Sequence, residues 1–317
     1  MKKSSRFFYI IIYTIALVCV LVSPKKYMTA TLDGLDLFVN NVFPSLFPFF
    51  ILTRILSILG VGEVLAKVIA KPVSKLFGTS AVGGYIFIVS LLSGYPVGAK
   101  MVSEYVKSGE ITFVESKRII AFTSTSGPLF IIGTVGVEMM GDVKLGYVVL
   151  LSHIAGAFLN GLLYRGRDNS LVSIDSEVVS DSFFNDALTS SIRAILQVGA
   201  SIIFLNVLIV ALQDLKVIDF FSNVIFRFLG DAKQSEAIAI GSIEITKGLK
   251  IFSTLENKKD IIVPIATIIS FGGVSVMVQS MSFLKSIGIK ASYYLLTKTS
   301  QAILTYAVSS IMVLVLY

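Results

Sequence analysis

The sequence predicts an all-α polytopic membrane protein made of two inverted-topology repeats. Each repeat would hold a re-entrant helical hairpin, an interfacial amphipathic helix and a broken transmembrane helix. Three observations carry that expectation. Of the 317 residues 55% are hydrophobic and 15% charged, whereas a soluble domain carries about 25% charged residues; the mean hydropathy is +0.85. Several apolar runs are interrupted at mid-length by Ser, Gly, Pro or charged residues. The order of runs before residue 166 also returns after residue 187.

Composition excludes several function classes. A formal charge of +7 would suit nucleic acid, but the lysines gather at the ends of apolar runs, where they anchor helices and set topology. No nucleic-acid partner is expected. With one cysteine, Cys19, and one histidine, His153, an intrachain disulfide, a zinc site and a Cys–His pair all lack partners. The chain has no HExxH and no GxSxG, which would mark a zinc protease or a nucleophile elbow. No catalytic residue, metal or cofactor is expected, and the chain is not expected to be an enzyme. His153, in an apolar span, is expected to make a helix-packing hydrogen bond.

Residues 1–28 open with basic residues and an apolar run, and "LVSPKK" offers no small-x-small cleavage site; they read as an uncleaved transmembrane helix. The first repeat spans 38–165. It starts with a crossing at 38–62, with Pro44 and Pro48 near its entrance. In residues 63–77, Lys67, Lys71 and Lys75 share one face and Leu65, Val68, Ile69 and Val73 fall largely on the other, the pattern of an interfacial helix. Residues 79–107 as one helix would run about 43 Å, against a hydrocarbon core of about 30 Å, and would bury Lys100 or Glu104. Pro96 disfavours helix at Tyr95 and Gly94 permits a tight turn, so a split at Ser93–Pro96 gives a re-entrant hairpin. The next run, 115–140, is broken at "TSTSGP", because Pro128 cannot donate to the carbonyl of Ser124. Residues 144–165 cross back.

Residues 166–187 read as a polar linker. The second repeat, 188–317, follows the same order: a span at 188–212, an amphipathic helix at 214–230, a hairpin at 231–256 interrupted at Glu244–Gly248, a helix at 260–284 broken at Ser270–Ser275, and a last span at 291–316. With the N-terminus inside, the first hairpin opens to the cytoplasm and the second opens outside. Interrupted segments at matching positions of two halves point to a transporter's substrate site.

Four interruptions would meet near the midplane. The candidate substrate-binding residues are Ser93, Gly94, Tyr95, Pro96, Lys100, Ser124, Thr125, Ser126, Gly127, Glu244, Thr246, Lys247, Ser270, Gly272, Gly273 and Ser275. Half-helices starting at Val97, Leu129 and Val274 would offer backbone amides, and helix N-termini favour anions. With Lys100 and Lys247 beside them, a small anionic or strongly polar substrate is expected. Glu244 is the most informative residue, since a membrane carboxylate is costly unless paired. It would coordinate substrate or a coupling ion, proton or sodium, or else pair with Lys247. Asn160, Asn206 and Gln279 are expected to bond between helices. The lipid bilayer is the other partner, and a homo-oligomer is compatible with the sequence.

"FPSLFPFFILTRIL", "LLSGYPVGAKMVSEYVKSGEIT", "FTSTSGPLFIIGTVG" and "EITKG" together resemble the sporulation integral membrane protein YlbJ (SpoVV) family. That family is one of the nucleoside-recognition, or Gate-domain, proteins related to concentrative nucleoside transporters. The resemblance implies a Gate-like fold for each repeat and a role in endospore formation. There the implied activity is passage of dipicolinic acid, a small aromatic dianion, across the outer forespore membrane. Transport of nucleosides or another small polar solute, and a scaffold role without transport, are the alternatives.

Overall fold

The computed structural model describes residues 3–61, 71–166 and 183–316. These residues are helical or in short connections, with no strand among them. The helices are α1 (Lys3–Val22), α2 (Pro24–Asp36), α3 (Phe43–Ile58), α4 (Lys71–Phe77), α5 (Ala81–Ser93), α6 (Val97–Lys107), α7 (Phe113–Thr123), the π-helical α8 (Phe130–Met139) and α9 (Val143–Leu163). The second half has α10 (Phe183–Asp214), α11 (Val217–Leu229), α12 (Ala232–Gly241), α13 (Ile245–Phe252), α14 (Lys258–Phe271), α15 (Gly273–Leu284) and α16 (Ala291–Leu316). Each half therefore reads long helix, short helix, helix pair, divided helix and long helix.

The chain is an integral membrane protein of all-helical fold. Among the described residues four helices are long and apolar enough to cross a bilayer: Val143–Leu163, Phe184–Asp214, Lys258–Ile287 and Ala291–Leu316. Three expected crossings take other forms; the first, at 1–28, is α1, whose end Tyr13–Val22 is bent by 109° from the helical run that follows. The one at 38–62 belongs to a longer helical run that begins at Pro24 and passes through a π-turn at Leu37–Val42. Phe43 N–H there donates to Phe38 O, one residue further back than in an α-helix. The wider turn lies just before Pro44, where the ladder loses a donor, so the prolines sit inside a helix instead of opening one. The crossing at 115–140 is divided between α7 and α8.

Lipid offers helices little hydrophobic reason to associate, so close packing and interhelical hydrogen bonds hold the bundle. Helices α9, α14 and α16 pack on one another. Asn160 Nδ2 donates to Ala121 O at 2.6 Å and to Thr297 O at 3.0 Å, tying α9 to α7 and α16. Asn206 Nδ2 donates to Ala30 O at 2.6 Å, tying α10 to α2. Bonds of this kind contribute about 0.6 kcal/mol each. Both asparagines do what the sequence predicts.

The interfacial helix is only partly in view, since residues 62–70 lie outside the described residues. Its end, α4, is anchored in protein: the Phe77 ring lies 4.4 Å from that of Phe122 and 5.8 Å from that of Phe87. The linker expectation also needs correction at one end. Residues 167–182 lie outside the described residues, and α10 begins at Phe183, where the polar run gives way to apolar residues and the helix period starts.

Candidate functional site

The first hairpin breaks at Gly94–Pro96, where the sequence puts it. Gly94 has φ 75° and ψ −170°, a region open essentially to glycine alone. The turn presses against the first broken helix: a Cβ on Gly94 would lie 2.7 Å from Gly127 N. Helix α7 stops at Thr123, and residues 124–127 run without helical structure before the chain resumes helix towards α8.

The second hairpin departs from expectation. Its break is at Ser242–Glu244, upstream of the predicted Glu244–Gly248. Glu244 stops being helical because its carboxylate caps the next helix, accepting from Lys247 N–H at 2.7 Å and Thr246 Oγ1 at 3.2 Å, as an N-cap does. Gly248 serves packing, since a Cβ there would lie 2.4 Å from Gly241 Cα where the two arms cross. The second broken helix has only a one-residue break: Gly272, at φ 86°, ends α14 and caps α15. Ser270 and Ser275 are therefore helical.

Three of these interruptions, the two tips and the first helix break, border one cavity of about 90 Å³ together with the helix that follows the second break; the space is larger than the ~10–15 Å³ that one water needs. Ser93, Gly94 and Tyr95 line it from the first tip, Ser126 and Gly127 from the first break, Glu244 and Thr246 from the second tip, and Ser275 from α15. The remaining wall is mostly apolar: Val42, Leu46, Phe49 and Phe50 near α3, Phe130 on α8, and Val198 and Ile202 on α10. Sequence reading missed this wall because its residues look like any lipid-facing span. The Ser93 and Ser275 hydroxyls and the Gln279 amide, also in the wall, have no protein partner among the described residues. Gln279 thus faces the cavity and does not bridge helices.

Several predicted residues lie elsewhere. Lys100 is exposed, 3.8 Å from Glu104, because its place on α6 points away from the tip. The Lys247 side chain is outside the wall, and Pro96 is the N-cap of α6. Thr125 is buried with no hydrogen bond at its Oγ1. Ser124 pairs with Tyr294 at 2.6 Å. Gly272 forms the break between α14 and α15, and Gly273, the first residue of α15, closes against the second tip, where a Cβ would lie 3.0 Å from Gly241 O.

The amide donors expected at half-helix starts are largely occupied. Val274 and Ser275 N–H donate to Ser242 and Ile243 O, both at 2.9 Å. Val97 N–H donates to Gly94 O at 3.1 Å. Ser126 N–H donates to His153 Nε2 at 2.9 Å. The breaks and tips satisfy one another, and among the described residues Glu244 is the one Asp, Glu, Lys, Arg or His side chain in the cavity wall.

His153 is more than a helix-packing residue. Its Nε2 accepts from Ser126, so the ring proton sits on Nδ1, 2.6 Å from Ser270 Oγ. A neutral imidazole donates through one nitrogen and accepts through the other. The ring therefore joins the first break to α14. Lys298, on α16, was missed altogether. It is 2% exposed, and its Nζ contacts Tyr95 Oη at 2.9 Å, Ser124 O at 2.7 Å and Gln301 Oε1 at 2.7 Å. A lysine within an apolar 26-residue helix is the signal that could have found it.

This all-helical bundle is the fold of the concentrative nucleoside transporters. Structures of a CNTnw variant in its intermediate 2 and intermediate 3 states match with a TM-score of 0.52 each, at 14% and 17% identity. They cover 98% and 94% of this chain and 88% and 86% of theirs. At those identities the likeness is one of fold. In sequence the chain is similar to the sporulation integral membrane protein YlbJ of Bacillus subtilis (strain 168), 28% identical over 323 residues, covering 92% of this chain and 78% of that protein. No protein-family model matches.

Proposed function

We propose that the chain is a membrane transporter, without enzymatic activity, of a small polar solute held between the two hairpin tips, the first helix break and α15. The observation that carries this is the cavity itself: residues far apart in sequence, Ser93–Tyr95, Ser126–Gly127, Glu244–Thr246 and Ser275, border one space. Non-helical backbone at membrane depth is tolerated where it lines a cavity or is buried in protein. Tips dipping in from opposite faces, in inverted repeats, would let that space open to either side in turn.

The substrate we propose is dipicolinic acid, passed across the outer forespore membrane of sporulating cells. Two features support it: the similarity to a sporulation membrane protein, and the Lys298 amine directly behind the cavity-lining Tyr95. The apolar wall suits the face of an aromatic ring. A second reading, a neutral nucleoside-like solute, is favoured by Glu244, whose carboxylate would repel a dianion and accept from hydroxyl or amino groups.

Flux from proteoliposomes loaded with dipicolinate or with a nucleoside tests both. Dipicolinate efflux that Gly94→Leu abolishes, with normal protein level, supports the first reading; nucleoside flux alone supports the second. Normal dipicolinate content in spores carrying Gly94→Leu sinks the first.

A further inference from the structure

The hydrogen-bond partners of Lys298 suit an ammonium. Tyr95 has one hydroxyl proton, and it is committed to Ile269 O at 3.0 Å. Towards Lys298 the phenol oxygen can only accept. Ser124 O and Gln301 Oε1 are carbonyl oxygens and also only accept. With Gln301 presenting Oε1, Nζ donates three hydrogens, which an ammonium has and a neutral amine lacks.

That ammonium has no carboxylate within 4.0 Å among the described residues. Its ligands are three uncharged oxygens from three places: the first hairpin tip, the first helix break and α16 itself. The Ser124 carbonyl stands just past the last residue of α7, at the negative end of that helix, which favours a cation. The Tyr95 ring adds its face, with Nζ 4.9 Å from the centroid. Neutral carbonyl and hydroxyl oxygens around one buried positive charge are the donor set of a hard monovalent cation, not of a salt bridge.

We propose that the Lys298 ammonium is a built-in cation, filling an oxygen cage that would otherwise take a free monovalent ion. It clamps the first hairpin tip to the first broken helix, so this junction assembles without any added ion. The proposal stands apart from the transport reading, because its test needs no substrate.

The experiment is thermal unfolding of the purified, detergent-solubilised full chain in choline, sodium, potassium or ethylammonium chloride at equal ionic strength. Choline is too large for the cage. The wild type should unfold at one temperature in all four salts. Lys298→Ala should fall by about 5 °C or more in choline. Ethylammonium, sodium or potassium should recover at least half of that fall, saturably. Lys298→Met, whose side chain fills the space without charge, should be destabilised and recover nothing.

Lys298→Ala that no cation restores, including a variant that folds in none of the salts, overturns the proposal; so does equal recovery of Lys298→Met. A saturable sodium shift in the wild type that is lost in Tyr95→Phe would mean the lysine does not fill the cage, and that too overturns the built-in cation.

Discussion

Replacing Gly94 with alanine tests whether the first hairpin tip is held against the first helix break. At φ 75° and ψ −170° a residue with a Cβ is strained by about 1–3 kcal/mol. The added carbon would lie 2.7 Å from Gly127 N and 3.2 Å from Gly127 Cα. Both are backbone atoms that cannot swing aside, and overpacking of this kind costs about 1–3 kcal/mol more. The sum, about 2–6 kcal/mol, is a large part of the ~5–15 kcal/mol that holds a protein folded.

Two controls separate those contributions. Gly109 shares a positive φ, 83°, but a Cβ there meets nothing within 4 Å, so Gly109→Ala should show the backbone strain alone. Gly127→Ala adds a Cβ no closer than 3.5 Å to its neighbours and should be nearly neutral. Thermal unfolding of the three variants should therefore rank them Gly94→Ala, Gly109→Ala, Gly127→Ala from least to most stable, with solute flux lost in the first. A Gly94→Ala protein no less stable than Gly109→Ala would refute the close approach and, with it, the shared cavity.

Removing the Glu244 carboxylate as Glu244→Ala should cost about 0.5–2 kcal/mol as a lost N-cap, while Glu244→Gln, which keeps an acceptor oxygen, should lose less than half of that in the same melts. In flux assays Glu244→Gln should also split the two substrate readings, sparing or raising dipicolinate flux if the charge is repulsive and lowering nucleoside flux if the charge is a ligand. His153→Phe leaves the Ser126 N–H and the Ser270 hydroxyl without their partner and should destabilise by about 1–3 kcal/mol for the stranded buried amide; a melting temperature equal to the wild type would show that the ring does not bridge the two elements.

Much of the first half was legible because its punctuation is local. Pro96 and Pro128 remove donors, and Gly94 allows a turn that other residues resist; such effects act on the chain wherever it goes. The second half was harder to read for the same reason. Its hairpin has no proline, and the break at Ser242–Glu244 follows from Glu244 capping Lys247, a choice among hydrogen bonds that composition does not announce. Gly248 drew the expected break downstream because glycine can mean a turn or a close crossing, and here it means the crossing with Gly241. Gly272 alone interrupts α14–α15, so the six-residue stretch Ser270–Ser275 produced a one-residue break.

The chemistry of the site was less legible than its place. The two lysines nearest the tips, Lys100 and Lys247, do not reach the cavity wall, while Lys298, more than 200 positions after Tyr95, lies against it. The expected amide donors are present but engaged, with Ser126 bonded to His153 and Val274 to Ser242. By itself the sequence determined that the chain lives in lipid, that its helices are interrupted, and roughly where, because hydropathy and backbone restrictions belong to each residue and its neighbours. Only the tertiary structure decided which donors are left over and which charge is buried at the centre, because a hydrogen bond depends on positions within about 3 Å that many turns of chain must first bring together.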